Sequence, residues 1–399
     1  MIKRIAEQVL AETLQSKKAV IILGARQVGK TTLIQHALPA VDTAYLNLDI
    51  DVDKARLKAV SALPPQQAAA ALASDKPIIA IDEAQRWEGV GRLVKGWIDS
   101  GLNKQVVLLG SSSLDLLDSS VESLTGRNVK LYLPALLFTE VLAHQPWYMT
   151  ALGERQWQEH FQAQVRALVF EHLVYGLYPE AVTTPRKRAY LQNLAQDYVL
   201  KDILQLGLTR TPETLRRLLQ LLAYQIGREV SLSELATNLG VARGTVERYV
   251  QLLEDTFVIF RLTAFSRNLR NEISKSVKYY FWDVGIRNAV INQFDTDSMR
   301  SDIGMLWENF VVAEFAKHNA LTGWTQNLFF WRTTDQSEVD LVVQENASII
   351  GYEMKVNPPR DRRTRARSFS ESYGAPVQVV HTGNFLEHIP GLGRLGALQ

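Results

Sequence analysis

Gly24-Ala25-Arg26-Gln27-Val28-Gly29-Lys30-Thr31-Thr32 follows the apolar run Ala19-Val20-Ile21-Ile22-Leu23 and opens a segment of helical pattern. Strand, glycine-rich loop and helix in that order are the context a phosphate-cradling P-loop requires. Backbone N–H groups of such a loop, with the helix N-terminus behind them, make a site for anionic oxygens. All nine residues, Gly24 to Thr32, are therefore candidate ATP-binding positions. Lys30 is suited to the β- and γ-phosphates, and the Thr31 hydroxyl to Mg²⁺. A chance glycine turn is the alternative; the strand before the loop and a second motif downstream argue against it.

That second motif is Pro77-Ile78-Ile79-Ala80-Ile81-Asp82-Glu83-Ala84-Gln85, an apolar strand ending in two acids. Asp82 suits the Mg²⁺ through water, and Glu83 suits orienting and deprotonating the attacking water. An aspartate at a strand end is also a common N-cap, but beside a P-loop the pair points to a nucleoside triphosphate site. Glu83 argues for hydrolysis rather than binding alone. A third strand, Gln105–Gly110, runs into Ser111-Ser112-Ser113. Its tip is expected beside the P-loop strand, where Ser111 can hold the water or sense the γ-phosphate. Capping of the next helix is the other reading of these serines. Arg127 precedes the strand Val129-Lys130-Leu131-Tyr132-Leu133. It reads either as an arginine finger, in cis or toward a neighbouring subunit, or as one half of a surface ion pair.

The chain has 399 residues, room for two or three domains. No apolar run approaches the ~20 residues of a membrane helix, and the N-terminus reads as an amphipathic helix without a signal peptide's apolar core. A cytoplasmic location with no membrane partner is the expectation. With no cysteine there is no disulfide, cysteine nucleophile or thiolate zinc site. The net charge of +2 does not by itself demand a nucleic-acid partner, so local charge must carry that argument.

Residues 18 to about 142 alternate apolar strands with helical patterns, which predicts a parallel sheet flanked by helices. The strands fall at 19–23, 44–48, 77–81, 105–109 and 129–133, with ATP at their carboxyl ends. From about 150 to 230 the pattern is helical, with helices over 154–175, 186–204 and 212–226. Ser231 with Glu234 three residues on reads as a capping box. Leu239-Gly240-Val241 reads as a turn, 242–250 as a second helix and 256–262 as a strand. This is a winged helix-turn-helix pattern. Its two readings are DNA recognition through Arg243, Thr245 and Arg248, or a packing module.

The C-terminal segment carries more acids. Ser337-Glu338-Val339-Asp340-Leu341-Val342-Val343 and Ile349-Ile350-Gly351-Tyr352-Glu353-Met354-Lys355-Val356 read as a hairpin turning at Glu345-Asn346. Glu353 and Lys355 then share a face, and Asp340 can lie across from them. Two carboxylates suit Mg²⁺, and a lysine can position water and stabilise phosphate charge. Glu308 falls on the apolar face of the helix Trp307–Phe315, where a carboxylate is unusual without a partner. It is a further candidate ligand, or orients one. The residues read equally as a nuclease-like site, with Asp340, Glu353 and Lys355 catalytic and Glu308, Asp340 and Glu353 on metal, or as a hairpin with a cross-strand ion pair. The run Arg360-Asp361-Arg362-Arg363-Thr364-Arg365-Ala366-Arg367 suits phosphate-backbone contact, or is simply a solvated surface.

With these motifs in order, the whole chain resembles the prokaryotic AAA-type ATPases that carry a C-terminal DUF4143 domain. Glu122–Arg127, Tyr178-Pro179-Glu180-Ala181, Asp197-Tyr198 through Lys201-Asp202, Tyr279–Gly285, Glu308-Asn309 and Trp331-Arg332 extend the match. The resemblance implies a P-loop NTPase sheet over 1–149, a helical region over 150–230, a winged helix over 231–265 and a restriction-endonuclease-like α/β domain over 266–399. It further implies that Glu308, Asp340, Glu353 and Lys355 form a nuclease-type site, and that the protein forms a homo-oligomeric ring, often a hexamer in such ATPases. The expectation is an ATP-hydrolysing protein, with ATP and Mg²⁺ as cofactors, whose C-terminal domain binds DNA or RNA, with cleavage an open question. A regulatory switch or scaffold with an inactive nuclease-like domain, and a protein remodeller, are the rivals.

Overall fold

The computed structural model describes residues 2–110, 124–148, 160–196, 212–266, 276–297, 300–333, 337–359 and 367–391. Ser111, Glu122 and Ser123, Asp197–Asp202 and Arg360–Ala366 lie outside them. The chain divides into two compact units, one of Lys3–Pro134 with Ala320–Gly323, the other of Ala135–Asn319 and the residues from Trp324 onward.

The first unit is an α/β layer structure. Five strands, β1 (Ala19–Leu23), β2 (Thr43–Asn47), β3 (Ile78–Asp82), β4 (Gln105–Gly110) and β5 (Asn128–Tyr132), form a sheet in the order β2-β3-β4-β1-β5. Every pairing is parallel. All five residues of β1 are buried, as a central strand covered on both faces must be. The helices are α1 (Ile5–Thr13), α2 (Lys30–Ala37), α3 (Asp51–Val60), α4 (Pro65–Ala73) and α5 (Val90–Asp99). In α5 the buried Val90, Val94 and Trp97 recur at helical spacing. The strands start and stop within a residue of expectation. The useful difference is that β3 runs on to include Asp82, level with Asn47 of β2. Leu23 is level with Gly110 and with Tyr132. The P-loop and Asp82 therefore leave the same edge of the sheet, at its carboxyl ends.

The second unit begins with α6 (Phe138–Ala143), α7 (Gln162–Tyr175), α8 (Pro179–Thr183), α9 (Lys187–Gln196) and α10 (Pro212–Tyr224). The helix-turn-helix follows as α11 (Leu232–Leu239) and α12 (Arg243–Asp255). Ser231 Oγ accepts the Glu234 N–H at 3.3 Å, capping α11 as expected. The second helix outlasts the expected 242–250, because Leu252 and Leu253 continue its buried stripe. Phe257, with φ +59°, then turns the chain, so the strand starts late as β6 (Ile259–Ala264). After β7 (Val277–Phe281) come α13 (Val284–Val290), α14 (Ile303–Leu321), β8 (Asn327–Arg332), β9 (Glu338–Glu345), β10 (Ser348–Met354), α15 (Arg367–Tyr373), β11 (Val377–Val380) and α16 (Phe385–His388).

Six strands form the second sheet in the order β11-β10-β9-β8-β6-β7. The winged-helix strands β6 and β7 are thus part of the C-terminal sheet, with β6 running parallel to β8. β6 and β7, on either side of residue 265, thus share one sheet with β8 to β11. The β9–β10 hairpin is as expected, pairing Glu345 with Ser348 and Leu341 with Tyr352. One core lies under it, of Phe265, Trp331, Val339, Val342 and Phe369. Helix α14 buries Leu306, Trp307, Phe310, Val311, Val312 and Phe315, so it is covered on nearly all sides. Among the described residues no helix is long and apolar enough to cross a membrane.

Candidate nucleotide site and carboxylate cluster

The P-loop is shaped by its glycines. A Cβ at Gly24 would stand 2.1 Å from the Leu133 carbonyl oxygen, so the loop leaves β1 pressed against the chain beyond β5. Gly29 has φ +94°, which a side chain resists, and α2 begins at the next residue. Ala25 and Val28 are buried, Arg26 is half-buried, and Gln27 and Thr32 face solvent. Lys30 is 7% exposed, and its Nζ donates to the carbonyls of Gly24 at 2.9 Å and Ala25 at 2.8 Å. The ammonium thus lies along the inside of the loop.

Thr31 Oγ1 donates to Asp82 Oδ2 at 2.6 Å. The contact joins P-loop and β3, 51 residues apart in sequence. Tyr45 OH donates to the same oxygen at 2.5 Å. Burial, and then the bond to Asp82, pushes the Tyr45 hydroxyl far above its usual pKa, so it remains a donor. Nothing in the sequence pointed to Tyr45; its place follows from the β2–β3 register, which sets Tyr45 opposite Ala80.

Glu83 has φ +51° and ψ +41°. A left-handed non-glycine residue costs ~1–3 kcal/mol and recurs at functional sites. Its N–H donates to Asp82 Oδ1 at 2.8 Å, and its Oε2 accepts from Gln85 Nε2 at 2.5 Å. Burial raises the Glu83 carboxyl above the ordinary range; Lys30 and Arg26 oppose this, while Asp82 and Asp49 add to it. A carboxyl with a raised pKa is a stronger proton acceptor once ionised.

Arg4 is a residue that sequence reasoning missed. It is 7% exposed. Its Nη1 donates to the Val28 carbonyl at 3.0 Å and its Nη2 to the Pro134 carbonyl at 2.9 Å. The guanidinium thereby ties the P-loop to the end of β5. The only signal in sequence is an arginine just before an amphipathic helix, which by itself says nothing.

Arg127 does not stand where a finger acting within its own chain would. It precedes β5, whose first residue Asn128 is level with Ala19 at the start of β1. That is the amino end of the sheet, opposite the P-loop. Its Nε donates to Asp99 of α5 at 2.5 Å, and both side chains are exposed. Within one chain Arg127 does not reach the phosphate end, because β5 runs parallel to β1 and spans the sheet between them.

In the second unit Glu308 and Glu338 meet a residue not foreseen at this site, Lys278 of β7, with Tyr280 of the same strand on Glu308 and with Asp340 close enough to feel Glu308 and Lys278. Lys278 Nζ lies 2.6 Å from Glu338 Oε1 and 3.3 Å from Glu308 Oε1, with its side chain 1% exposed. Tyr280 OH donates to Glu308 Oε1 at 2.7 Å. These are the partners that a carboxylate on the apolar face of α14 required. Asp340 Oδ2 accepts the Met354 N–H at 2.7 Å. Glu353 Oε1 pairs with Lys355 Nζ at 2.8 Å. Burial and then Glu308 push the Asp340 carboxyl up to about 7, against the pull of Lys278. The carboxylates expected on metal therefore have protein donors as neighbours. Among the described residues, no group of three or more acidic or histidine side chains is disposed to hold a metal ion.

The AAA domain model matches residues 16–142, and the domain of unknown function DUF4143 matches residues 303–392. The chain is an AAA-type P-loop protein with a C-terminal DUF4143 domain. Between these, residues 166–297 match a second domain of unknown function, DUF8612. An uncharacterized protein of Mycobacterium tuberculosis is 27% identical over 387 residues, covering 96% of this chain and 80% of its own. An uncharacterized protein of Haemophilus influenzae is 24% identical over 68% of this chain and 69% of its own. Among solved structures, a Walker-type ATPase of Pyrococcus abyssi aligns with 73% of this chain and 96% of its own, at 15% identity and a TM-score of 0.49.

The loop and strand-end acids of this AAA domain fit a Mg²⁺-nucleotide. Positive-φ Gln27 and Gly29 shape the loop, Lys30 supplies an ammonium inside it, and Thr31 and Asp82 supply a hydroxyl and a carboxylate in contact. The DUF8612 segment contains the helix-turn-helix. On α12, Arg243, Gly244, Glu247 and Arg248 are exposed, while Val246, Tyr249 and Val250 are buried. Arg243 pairs with Glu247 at 2.8 Å, so the outward face carries both signs.

Proposed function

We propose that this AAA-type protein binds and hydrolyses ATP at the carboxyl ends of its parallel sheet. The observation that carries this reading is the Thr31–Asp82 hydrogen bond of 2.6 Å with Glu83 next in sequence. In it, the metal-binding hydroxyl, its carboxylate and a water-activating acid share one edge of the sheet. Lys30, now on the Gly24 and Ala25 carbonyls, exchanges those bonds for phosphate oxygens. Thr31 directly and Asp82 through water would hold Mg²⁺, which would neutralise charge on the phosphates. Tyr45 keeps Asp82 in place. Glu83 orients the attacking water and takes its proton, held at its angle by Gln85.

The test compares wild type with Lys30→Ala and Glu83→Gln, reading nucleotide binding and phosphate release separately. Lys30→Ala is expected to lose binding. Glu83→Gln is expected to bind ATP and to hydrolyse it about 10²–10⁴-fold more slowly. Unchanged hydrolysis by Glu83→Gln refutes the role of Glu83.

A second reading, nucleic-acid binding by the helix-turn-helix, draws support from the exposed Arg243 and Arg248 on α12. Phosphate contacts of this kind weaken with salt. Arg248→Glu should lower affinity for duplex DNA and reduce the salt slope; a slope unchanged by the substitution removes α12 from the interface. Assembly into a ring, with Arg127 acting toward a neighbour, belongs to the same reading. Sedimentation with and without ATP tests it.

A further inference from the structure

We infer that the Lys278 ammonium is the resident cation of the nuclease-like centre, standing where a divalent metal would have to bind, so that this centre performs no metal-dependent phosphodiester hydrolysis. The inference goes beyond the ATPase reading and concerns the other unit of the chain.

Three features of the structure carry it. The first is position. Lys278 comes from β7, at the edge of the second sheet, and its Nζ meets carboxylates of β9 and α14, Glu338 at 2.6 Å and Glu308 at 3.3 Å. These are the elements from which a metal would draw its oxygens. The second is enclosure. The side chain is 1% exposed and its Nζ lies 5.2 Å from the ring centre of the fully buried Phe330. The backbone of Lys278 is itself bridged to Glu229. A buried ammonium is tolerated only when paired, and this one is paired with two carboxylates.

The third is the state of the oxygens. Mg²⁺ needs an octahedron of hard oxygens at about 2.0–2.1 Å, with several of its waters retained. Here Glu308 Oε1 is shared by Tyr280 OH and Lys278, and Glu338 Oε1 is held by Lys278. Asp340 Oδ2 takes the Met354 N–H, and Glu353 Oε1 takes Lys355. Each carboxylate thus turns an oxygen to a protein donor. A divalent ion entering among them would meet a fixed positive charge already on Glu308, one of the three carboxylates expected on metal, and on its neighbour Glu338.

The probe is Mn²⁺, titrated without nucleotide into the full chain and followed by its paramagnetic resonance. The preparations are wild type, Asp340→Asn and Lys278→Met, the last keeping the stem and removing the charge. ATP turnover is measured on each, so a failed nucleotide site is recognised separately. Wild type and Asp340→Asn are expected to bind the same number of Mn²⁺ ions. Folded Lys278→Met is expected to gain one, and to lose it again when Asp340→Asn is added. A wild-type Mn²⁺ site, or Mn²⁺-dependent cleavage of DNA or RNA, that Asp340→Asn abolishes overturns the inference. So does a folded Lys278→Met chain that gains no ion. If Lys278→Met does not fold, the comparison of wild type with Asp340→Asn decides alone.

Discussion

Replacing Arg4 by alanine should loosen the P-loop without touching any residue that meets ATP. The guanidinium donates to the carbonyls of Val28 and Pro134 at 3.0 and 2.9 Å. Hydrogen bonds from a charged group contribute ~1.5–3 kcal/mol each, so two amount to about 3–6 kcal/mol if nothing relaxes. Pro134 is only half-buried, and water reaching its carbonyl recovers part of that. Val28, 1% exposed, has no such recourse. A net loss of about 2–4 kcal/mol follows. At ~2–4 °C per kcal/mol, a 3 kcal/mol loss lowers the melting temperature of this unit by about 6–12 °C. If about 1.4 kcal/mol of the loss falls on the ordered loop, ATP binding weakens about tenfold. Arg4→Lys, which keeps the charge but replaces the planar fork by a single shorter-reaching ammonium, should fall between. The assays are thermal melting and equilibrium binding of a fluorescent ATP analogue. An Arg4→Ala chain that melts and binds ATP like wild type refutes the reasoning.

Gly24→Ala should abolish ATP binding in a chain that still folds, because the new Cβ, 2.1 Å from the Leu133 carbonyl oxygen, forces backbone apart at the loop; overpacking of this kind costs ~1–3 kcal/mol, and melting with nucleotide titration reads both effects. The pH profile of kcat should show an acid limb above the ordinary glutamate pKa of about 4.3, because the base must be ionised and burial raises the Glu83 carboxyl; a limb at or below that value counts against Glu83 as base. Stability of the second unit should fall as pH rises from about 4 toward 7, since Asp340, held up at about 7 in the fold, binds more protons folded than unfolded across that window. Asp340→Asn should flatten this dependence, measured by denaturant unfolding at several pH values.

The periodicities carried most of the fold. Short apolar runs separated by helical patterns marked all five strands of the first sheet to within a residue, because a parallel strand covered on both faces must be continuously apolar. The P-loop and the Asp82-Glu83 pair were legible for a similar reason: phosphate chemistry constrains local spacing, and local spacing is what a sequence displays. The β9–β10 hairpin and the capped helix-turn-helix were legible from turn and cap residues.

Contacts between segments distant in sequence were not legible. Arg4 lies 130 residues from the Pro134 carbonyl it holds, and no pattern marks a side chain whose partners are backbone carbonyls. Arg127 showed a finger's position relative to its strand, yet the strand's direction puts it at the amino end of the sheet beside Asp99. Glu308, Asp340, Glu353 and Lys355 showed a nuclease-like spacing. The structure sets Lys278 of β7 on Glu308, because β6 joins the C-terminal sheet beside β8 and carries β7 with it. By itself, then, the sequence determined the elements and the types of group at each strand end, since those depend on residues a few positions apart. Which charges meet was decided by tertiary structure alone, because strand order sets the neighbours of a buried charge, and those neighbours set whether a cluster of acids is open to a metal or already paired.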